Sequence, residues 1–164
     1  MNKQYFTNTE DRAWNELISW NYQHRCFKEL ARMPEKTEFD ASGITKDGRP
    51  CAIELKVRNA LLTPDQTVSS QTFNDDTLFI EQHKHSSLMM YSVVSGMTPI
   101  YINFLSNAVI VHNLTKLTHY KPFNHMKIKS LGYQKMEIGS RYGLFLDDAA
   151  VYPLTPPSTV KDDQ

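Results

Sequence analysis

Hydrophobic and polar positions change their spacing several times along the chain, and each change marks an element. Trp14, Leu17 and Ile18 keep helical spacing and predict a helix from about Thr9 to Arg32. Asn8 or Thr9 stands where a cap belongs, and Glu10 and Asp11 suit the positive end of the helix. The pattern weakens over residues 21–24, where a break followed by a second short element fits, and Pro34 closes the region. From about Lys36 to Arg58 the spacing becomes alternating, which predicts a β-hairpin. Residues 60–76 are polar, with a proline and several Ser, Thr and Asn, and read as a loop. A short apolar run at Thr77–Ile80 precedes a helix over about Gln82–Val94 that ends near Gly96. Ile100–Leu105 and Ala108–Leu114 flank Ser106-Asn107 as a second hairpin, and Tyr142–Tyr152 holds one more strand.

Helix, hairpin, strand, helix, hairpin is the order of an α/β domain with a central mixed β-sheet flanked by helices. One domain over residues 1–152 is expected, followed by a flexible proline-rich tail over 153–164.

The first hairpin has its register written into it. Asp47-Gly48 is a strong turn signal, and a loop of Lys46, Asp47 and Gly48 places Gly48 in the left-handed region. Thr45 then pairs with Arg49, Ser42 faces Ala52, Asp40 faces Glu54 and Glu38 faces Lys56. Facing residues share a side of the sheet, so these four charged side chains emerge together. Phe39, Ala41, Cys51, Ile53, Leu55 and Val57 form the opposite, core-facing side. A slip of one residue would scatter both sets.

Two carboxylates facing one another, with Cβ atoms about 5 Å apart, repel. A hard divalent cation removes the conflict, because Mg²⁺ takes oxygen ligands and commonly uses one or two carboxylates. Such an ion binds phosphate oxygens and lowers the pKa of a bound water, which is the chemistry of phosphodiester hydrolysis. Lys56, on the same face, is placed to orient that water or to stabilise developing negative charge. The competing reading is a solvent-facing strand on which Asp40 and Glu54 pair with Lys56 and Arg58 without metal.

Composition narrows the remaining classes. Of 164 residues, 40% are hydrophobic and 22% charged, as in ordinary globular proteins. No run approaches the roughly 18 apolar residues of a membrane span, and the amino terminus lacks the apolar stretch of a secretory signal, so a cytoplasmic protein with no membrane partner is expected. Cys26 and Cys51 are too few for a disulfide framework and lack zinc-ligand spacing; Cys51 reads as a small core residue. Net charge is zero, yet Lys116, Lys121, Lys127, Lys129, Lys135 and Arg141 are opposed in their stretch only by Glu137. That asymmetry suits contact with a phosphate backbone, or a solvated basic surface.

At Asp40 and Glu54-Leu55-Lys56 the sequence resembles the PD-(D/E)xK nuclease superfamily, which includes restriction endonucleases, junction resolvases and recombination exonucleases. The likeness spans residues 10–105 as architecture, and Phe39 stands where the name-giving proline would be. It implies a restriction-endonuclease-like core, with Asp40, Glu54 and the Leu55 carbonyl as metal ligands and Lys56 as catalytic lysine. Members often add a glutamate from the first helix. Glu16, on the helix face shared with Trp20, Gln23 and Phe27, is the candidate ahead of Glu10 and Glu29. Members also place a Gln or Lys from the second helix near the scissile phosphate, which points to Gln82 or Lys84; Glu81 and Lys84 could equally be an ordinary helical pair.

The expectation is thus a Mg²⁺-dependent phosphodiester hydrolase, with Mn²⁺ able to substitute, acting on nucleic acid and on DNA by the resemblance. Lys84, Lys121, Lys127, Lys129, Lys135 and Arg141 are the candidate nucleic-acid contacts. Double-strand cleavage by so small a domain usually requires two copies, so a homodimer is one of the oligomeric states that the sequence leaves open. The alternative is a non-catalytic nucleic-acid-binding or assembly protein that keeps the nuclease fold.

Overall fold

The computed structural model of the protein describes residues 3–129 and 136–154, the side chains of 9–121 and 140–154 among them. Helix α1 spans Lys3–His24 and buries Ala13, Leu17 and Trp20, spaced to lie along one face. Asn8 and Thr9 lie inside it and do not cap it.

The helix stops well short of Arg32. Arg25 adopts a left-handed conformation with φ 50°, and its N–H donates to the Asn21 carbonyl at 2.7 Å. The Asn21 amide then clamps the turn, accepting from the Phe27 N–H at 2.8 Å and donating to the Phe27 carbonyl at 3.0 Å. Phe27 is thereby seated in the core, and Phe27–Arg32 continues as strand β1 instead of helix. Its charged residues are exposed, as suits a strand at the edge of a sheet.

Strands β2 (Ala41–Thr45) and β3 (Pro50–Val57) form the expected hairpin. Gly48 has φ 86°, its N–H donates to Thr45 O at 3.0 Å, and Thr45 N–H donates to Arg49 O at 2.9 Å. The pairs Ala41 with Ile53, Ser42 with Ala52 and Gly43 with Cys51 hold the register that the turn dictates.

Residues 60–76 are more than a loop. They contain β4 (Leu61–Leu62), β5 (Val68–Ser69) and β6 (Asn74–Asp75), which form a small antiparallel sheet. Asn107 anchors it, its side-chain amide bonding the Leu62 N–H and carbonyl at 2.8 Å each. Strand β7 (Thr77–Glu81) leads directly into α2 (Gln82–Ser95), which ends at Gly96 with φ 74°. Strands β8 (Thr98–Phe104) and β9 (Ala108–Asn113) follow as the second hairpin.

The basic stretch forms a long hairpin of β10 (Tyr120–Lys129) and β11 (Met136–Phe145), and β12 (Ala150–Pro153) closes the chain. Pro153 pairs with Ala108, and Leu154 N–H donates to Asn107 O at 2.9 Å, so the first two residues assigned to the tail pack on the sheet. The remainder of the expected tail, 155–164, lies outside the described residues.

The central sheet is mixed, in the order β1-β2-β3-β8-β9-β12, with β3 and β8 parallel and the other neighbours antiparallel. Its two central strands are buried on both faces, so they read as almost continuous apolar runs. On one face Cys51, Ile53, Leu55, Ile100 and Ile102 pack against α1. On the other, Ala52 and Tyr101 pack against Leu88 of α2, Ile80 of β7 and Leu144 of β11. Phe39 belongs to this second cluster, stacking on Tyr91 of α2 with ring centroids 4.9 Å apart. It therefore does not join the α1-facing set that simple alternation assigns to it, because regular pairing stops at Ala41. A second sheet, β10-β11-β7, roofs the α2 side. Among the described residues no helix is long and apolar enough to cross a membrane.

Candidate metal centre

Glu54 and Lys56 share the face of β3 that carries Ala52, which is the face covered by α2. The polar side of the hairpin is therefore partly roofed, and the Glu54 side chain keeps only 12% of its exposure. The Asp40 N–H donates to Ile53 O at 3.0 Å, and regular pairing ends one residue before Asp40. The strict facing of Asp40 with Glu54, and of Glu38 with Lys56, is lost at this strand end. Asp40 instead turns its carboxylate along the β3 backbone, where Oδ2 accepts the Leu55 N–H at 2.8 Å. That bond fixes one carboxylate oxygen beside the Glu54-Leu55-Lys56 segment.

Asp40, Glu54, Leu55, Lys56 and Lys84 line one cleft of about 690 Å³ between α1, the residue 33–39 connection and β3. The expected catalytic and metal-ligand residues thus come together, Glu16 excepted. Lys84, in the first turn of α2, places Nζ 3.0 Å from Oε1 of Glu54, so its ion pair is with Glu54 and not with Glu81. Glu81 is instead 3.3 Å from His83. The second oxygen, Oε2 of Glu54, is buried without a partner.

The electrostatics follow from this crowding. Burial pushes the Glu54 carboxyl up, the Asp40 charge pushes it further, and together they outweigh Lys84 and Lys56 to bring it to about 7. For Lys84 burial acts downward, but Glu54, Asp40 and Glu81 outweigh it and its pKa is raised. Lys56 goes the other way: loss of water around its ammonium and the neighbouring Arg58 charge lower its pKa, against Glu81 and Glu54. A raised acid beside an acid, with a lowered lysine on the same wall, is the arrangement that functional sites use.

Among the described residues no cluster of three or more His, Cys, Asp or Glu side chains forms a metal cage. A site of two carboxylates completed by water and a backbone carbonyl does not need one. The oxygen donors suit a hard divalent cation, and the unpartnered Oε2 of Glu54 is the atom such an ion would satisfy.

Glu16 lies on a separate surface groove with Arg12, Asn15 and Ser19. Glu10 lines the cleft itself, beside Thr9, Ala13 and Trp14. Its signal was present in the sequence: Glu10, Ala13, Leu17 and Trp20 follow one another at steps of three and four, which puts Glu10 on the stripe that faces the sheet.

Among the described residues Arg58 forms no ion pair with Asp40 or Glu54. Its guanidinium donates to Asn103 Oδ1 at 2.6 Å, to the Phe79 carbonyl and to the Tyr101 hydroxyl at 2.9 Å, joining β3, β7 and β8 behind the site. Nothing in the local sequence signals a network that spans three strands.

Of the basic candidates, Lys121 is exposed on β10 and Arg141 lies on β11 beside Glu81. Lys127 and Lys129 lie on β10 with side chains outside the description, and Lys135 lies outside the described residues. His85 is half-buried against Tyr142 and Tyr120 at ring-centroid distances of 5.1 and 5.9 Å. Burial lowers its pKa. These rings tie the basic hairpin to α2.

No protein-family model matches the chain, and no curated protein matches it in sequence. Among solved structures the chain is similar to Hjc, a Holliday junction resolvase from the archaeal hyperthermophile Archaeoglobus fulgidus. The likeness has a TM-score of 0.49 at 13% identity and covers 83% of this chain and 90% of that one.

Proposed function

We propose that the protein is a divalent-metal-dependent nuclease that hydrolyses phosphodiester bonds, with DNA as the substrate implied by the resemblance at Asp40 and Glu54-Leu55-Lys56. The observation that carries the reading is the Asp40 and Glu54 pair in one cleft. Burial and the neighbouring Asp40 charge together raise Glu54 to about 7, and one oxygen of Glu54 is left buried and unpartnered. An ion-paired surface strand would leave no such deficit.

In this reading Asp40, Glu54 and the Leu55 carbonyl would hold Mg²⁺, or Mn²⁺ in its place, and Glu10, which lines the cleft, would take the role expected of Glu16. The ion supplies charge neutralisation at the phosphate and an acidified water. Asp40 is held in place by the Leu55 N–H and so needs little rearrangement to bind. Lys56, with its lowered pKa, orients the attacking water and donates to the phosphate oxygen on which charge develops. Lys84 keeps Glu54 ion-paired in the metal-free protein and is placed to turn its ammonium to the phosphate once Glu54 is engaged. Lys121, exposed on β10, and Arg141 on β11 would contact the nucleic-acid backbone. Two copies would serve the two strands of a duplex.

Incubation with supercoiled, linear and branched DNA, with Mg²⁺, with Mn²⁺ and with chelator, tests the reading. Cleavage by the wild type, abolished by chelator and by Asp40→Ala or Lys56→Ala, is the expected result. DNA binding that is indifferent to metal and to both substitutions, without cleavage, would instead favour the binding protein that keeps the fold.

A further inference from the structure

Beside the metal centre lies a second, smaller cavity of about 140 Å³. It shares Glu54, Lys56 and Lys84 with the larger cleft, so the two spaces meet at those side chains. Arg58 and Glu81 line it as well, and Arg141 reaches it from β11, where it pairs with Glu81 across the ladder. Four cationic side chains thus surround a space that only two carboxylates share.

Most of these groups are already engaged. Arg58 bonds Asn103, Phe79 and Tyr101; Lys84 is paired with Glu54; Glu81 sits 3.3 Å from His83. Arg141 is different. Its Nε is buried and has no hydrogen-bond partner, and among the described residues neither Arg141 nor Lys56 forms an ion pair. A guanidinium N–H removed from water and left unpaired is costly, and an incoming anion would satisfy it.

We propose that this cavity is a second phosphate subsite, in which Arg141 binds the phosphate group next to the one cleaved. It rests on the nuclease reading for its place in the substrate, and on its own geometry for its anion preference. At about 30 Å³ per water the space holds a few waters, enough for an oxyanion and well below the 300 Å³ or more of pockets that take a drug-sized ligand. Arginine is suited to such a group because its planar fork gives paired hydrogen bonds to phosphate oxygens. Held there, the neighbouring phosphate would fix the strand between the β10–β11 hairpin and the metal centre.

The test separates the subsite from the nuclease reading by using inorganic phosphate and no metal. Phosphate titrated into the chelated, ¹⁵N-labelled protein should shift the Arg141 Nε–H resonance in a saturable way. Arg141→Gln should weaken phosphate binding by about tenfold, the loss of one charge-assisted contact, while Arg141→Lys retains part of it and Glu16→Gln, on a separate groove, binds as the wild type does. Thermal unfolding checks that each variant is folded. On a cleaved nucleic acid, Arg141→Gln should show its loss in KM more than in kcat. An Arg141 resonance unmoved by phosphate, or Arg141→Gln binding phosphate as the wild type does, overturns the subsite. If phosphate binds as expected but no nucleic acid is cut, the nuclease reading fails while the anion site stands.

Discussion

The Lys84 ammonium sits 3.0 Å from one oxygen of Glu54, and the other oxygen of the same carboxylate is buried with no partner. A lysine of α2 therefore satisfies half of an acid of β3. The other half, buried and unpartnered, is where the fold carries an unmet electrostatic demand.

That demand has a pH signature in the metal-free protein. A carboxyl whose pKa rises on folding, from its usual 4.5 to about 7, contributes its full stability below about 4.5 and loses it as pH rises through about 7. The loss is on the order of 3 kcal/mol. Chemical denaturation in chelator should show stability falling across that window, and Glu54→Gln should flatten the fall. Wild-type stability that rises across pH 5–7.5 through this group would contradict the assignment.

Lys84 lowers the Glu54 pKa, so its removal should do the opposite. In Lys84→Met the titration midpoint of the Glu54 carboxyl, followed by carbon NMR without metal, should move above about 7. An unchanged or lower midpoint would show that the ion pair has no hold on the acid.

The two helix glutamates make a clean comparison. Glu10 lines the cleft and Glu16 lies on a separate groove, so Glu10→Ala should reduce metal-dependent cleavage substantially while Glu16→Ala leaves it near wild type. The reverse order would place the site on the other face of α1.

Much of the site was legible in the sequence, and for a physical reason. Asp47-Gly48 admits few turns, and once Gly48 is left-handed the alternation of Cys51, Ile53 and Leu55 places Glu54 and Lys56 together. What the pattern could not carry was tertiary. FKELAR, residues 27–32, has a helix-friendly composition, and only the Asn21 clamp and the left-handed Arg25 make it a strand. The polar face of β3 looked solvent-facing because nothing local announces that α2 lies over it. Arg58 looked like one more surface charge, although its partners lie on two other strands. Glu10 is readable on the stripe of Ala13, Leu17 and Trp20, whereas the face that joins Glu16 to Trp20, Gln23 and Phe27 needs a helix that runs past His24.

The Asn21 clamp gives a stability prediction of its own. Asn21→Ala removes both side-chain bonds to Phe27, one of them to its N–H, at the point where helix becomes strand. It should cost about 1–3 kcal/mol in denaturant unfolding. A neutral effect would mean that the left-handed Arg25 and the burial of Phe27 suffice to end the helix.

Joint binding of a divalent ion by Asp40 and Glu54 is read by a Mn²⁺ titration followed by electron paramagnetic resonance at pH 8. The wild type should bind Mn²⁺, Asp40→Asn and Glu54→Gln should each weaken binding by about tenfold or more, and Glu16→Gln should match the wild type. A wild type that binds no Mn²⁺, or an Asp40→Asn variant that binds it as tightly as the wild type, would contradict the account.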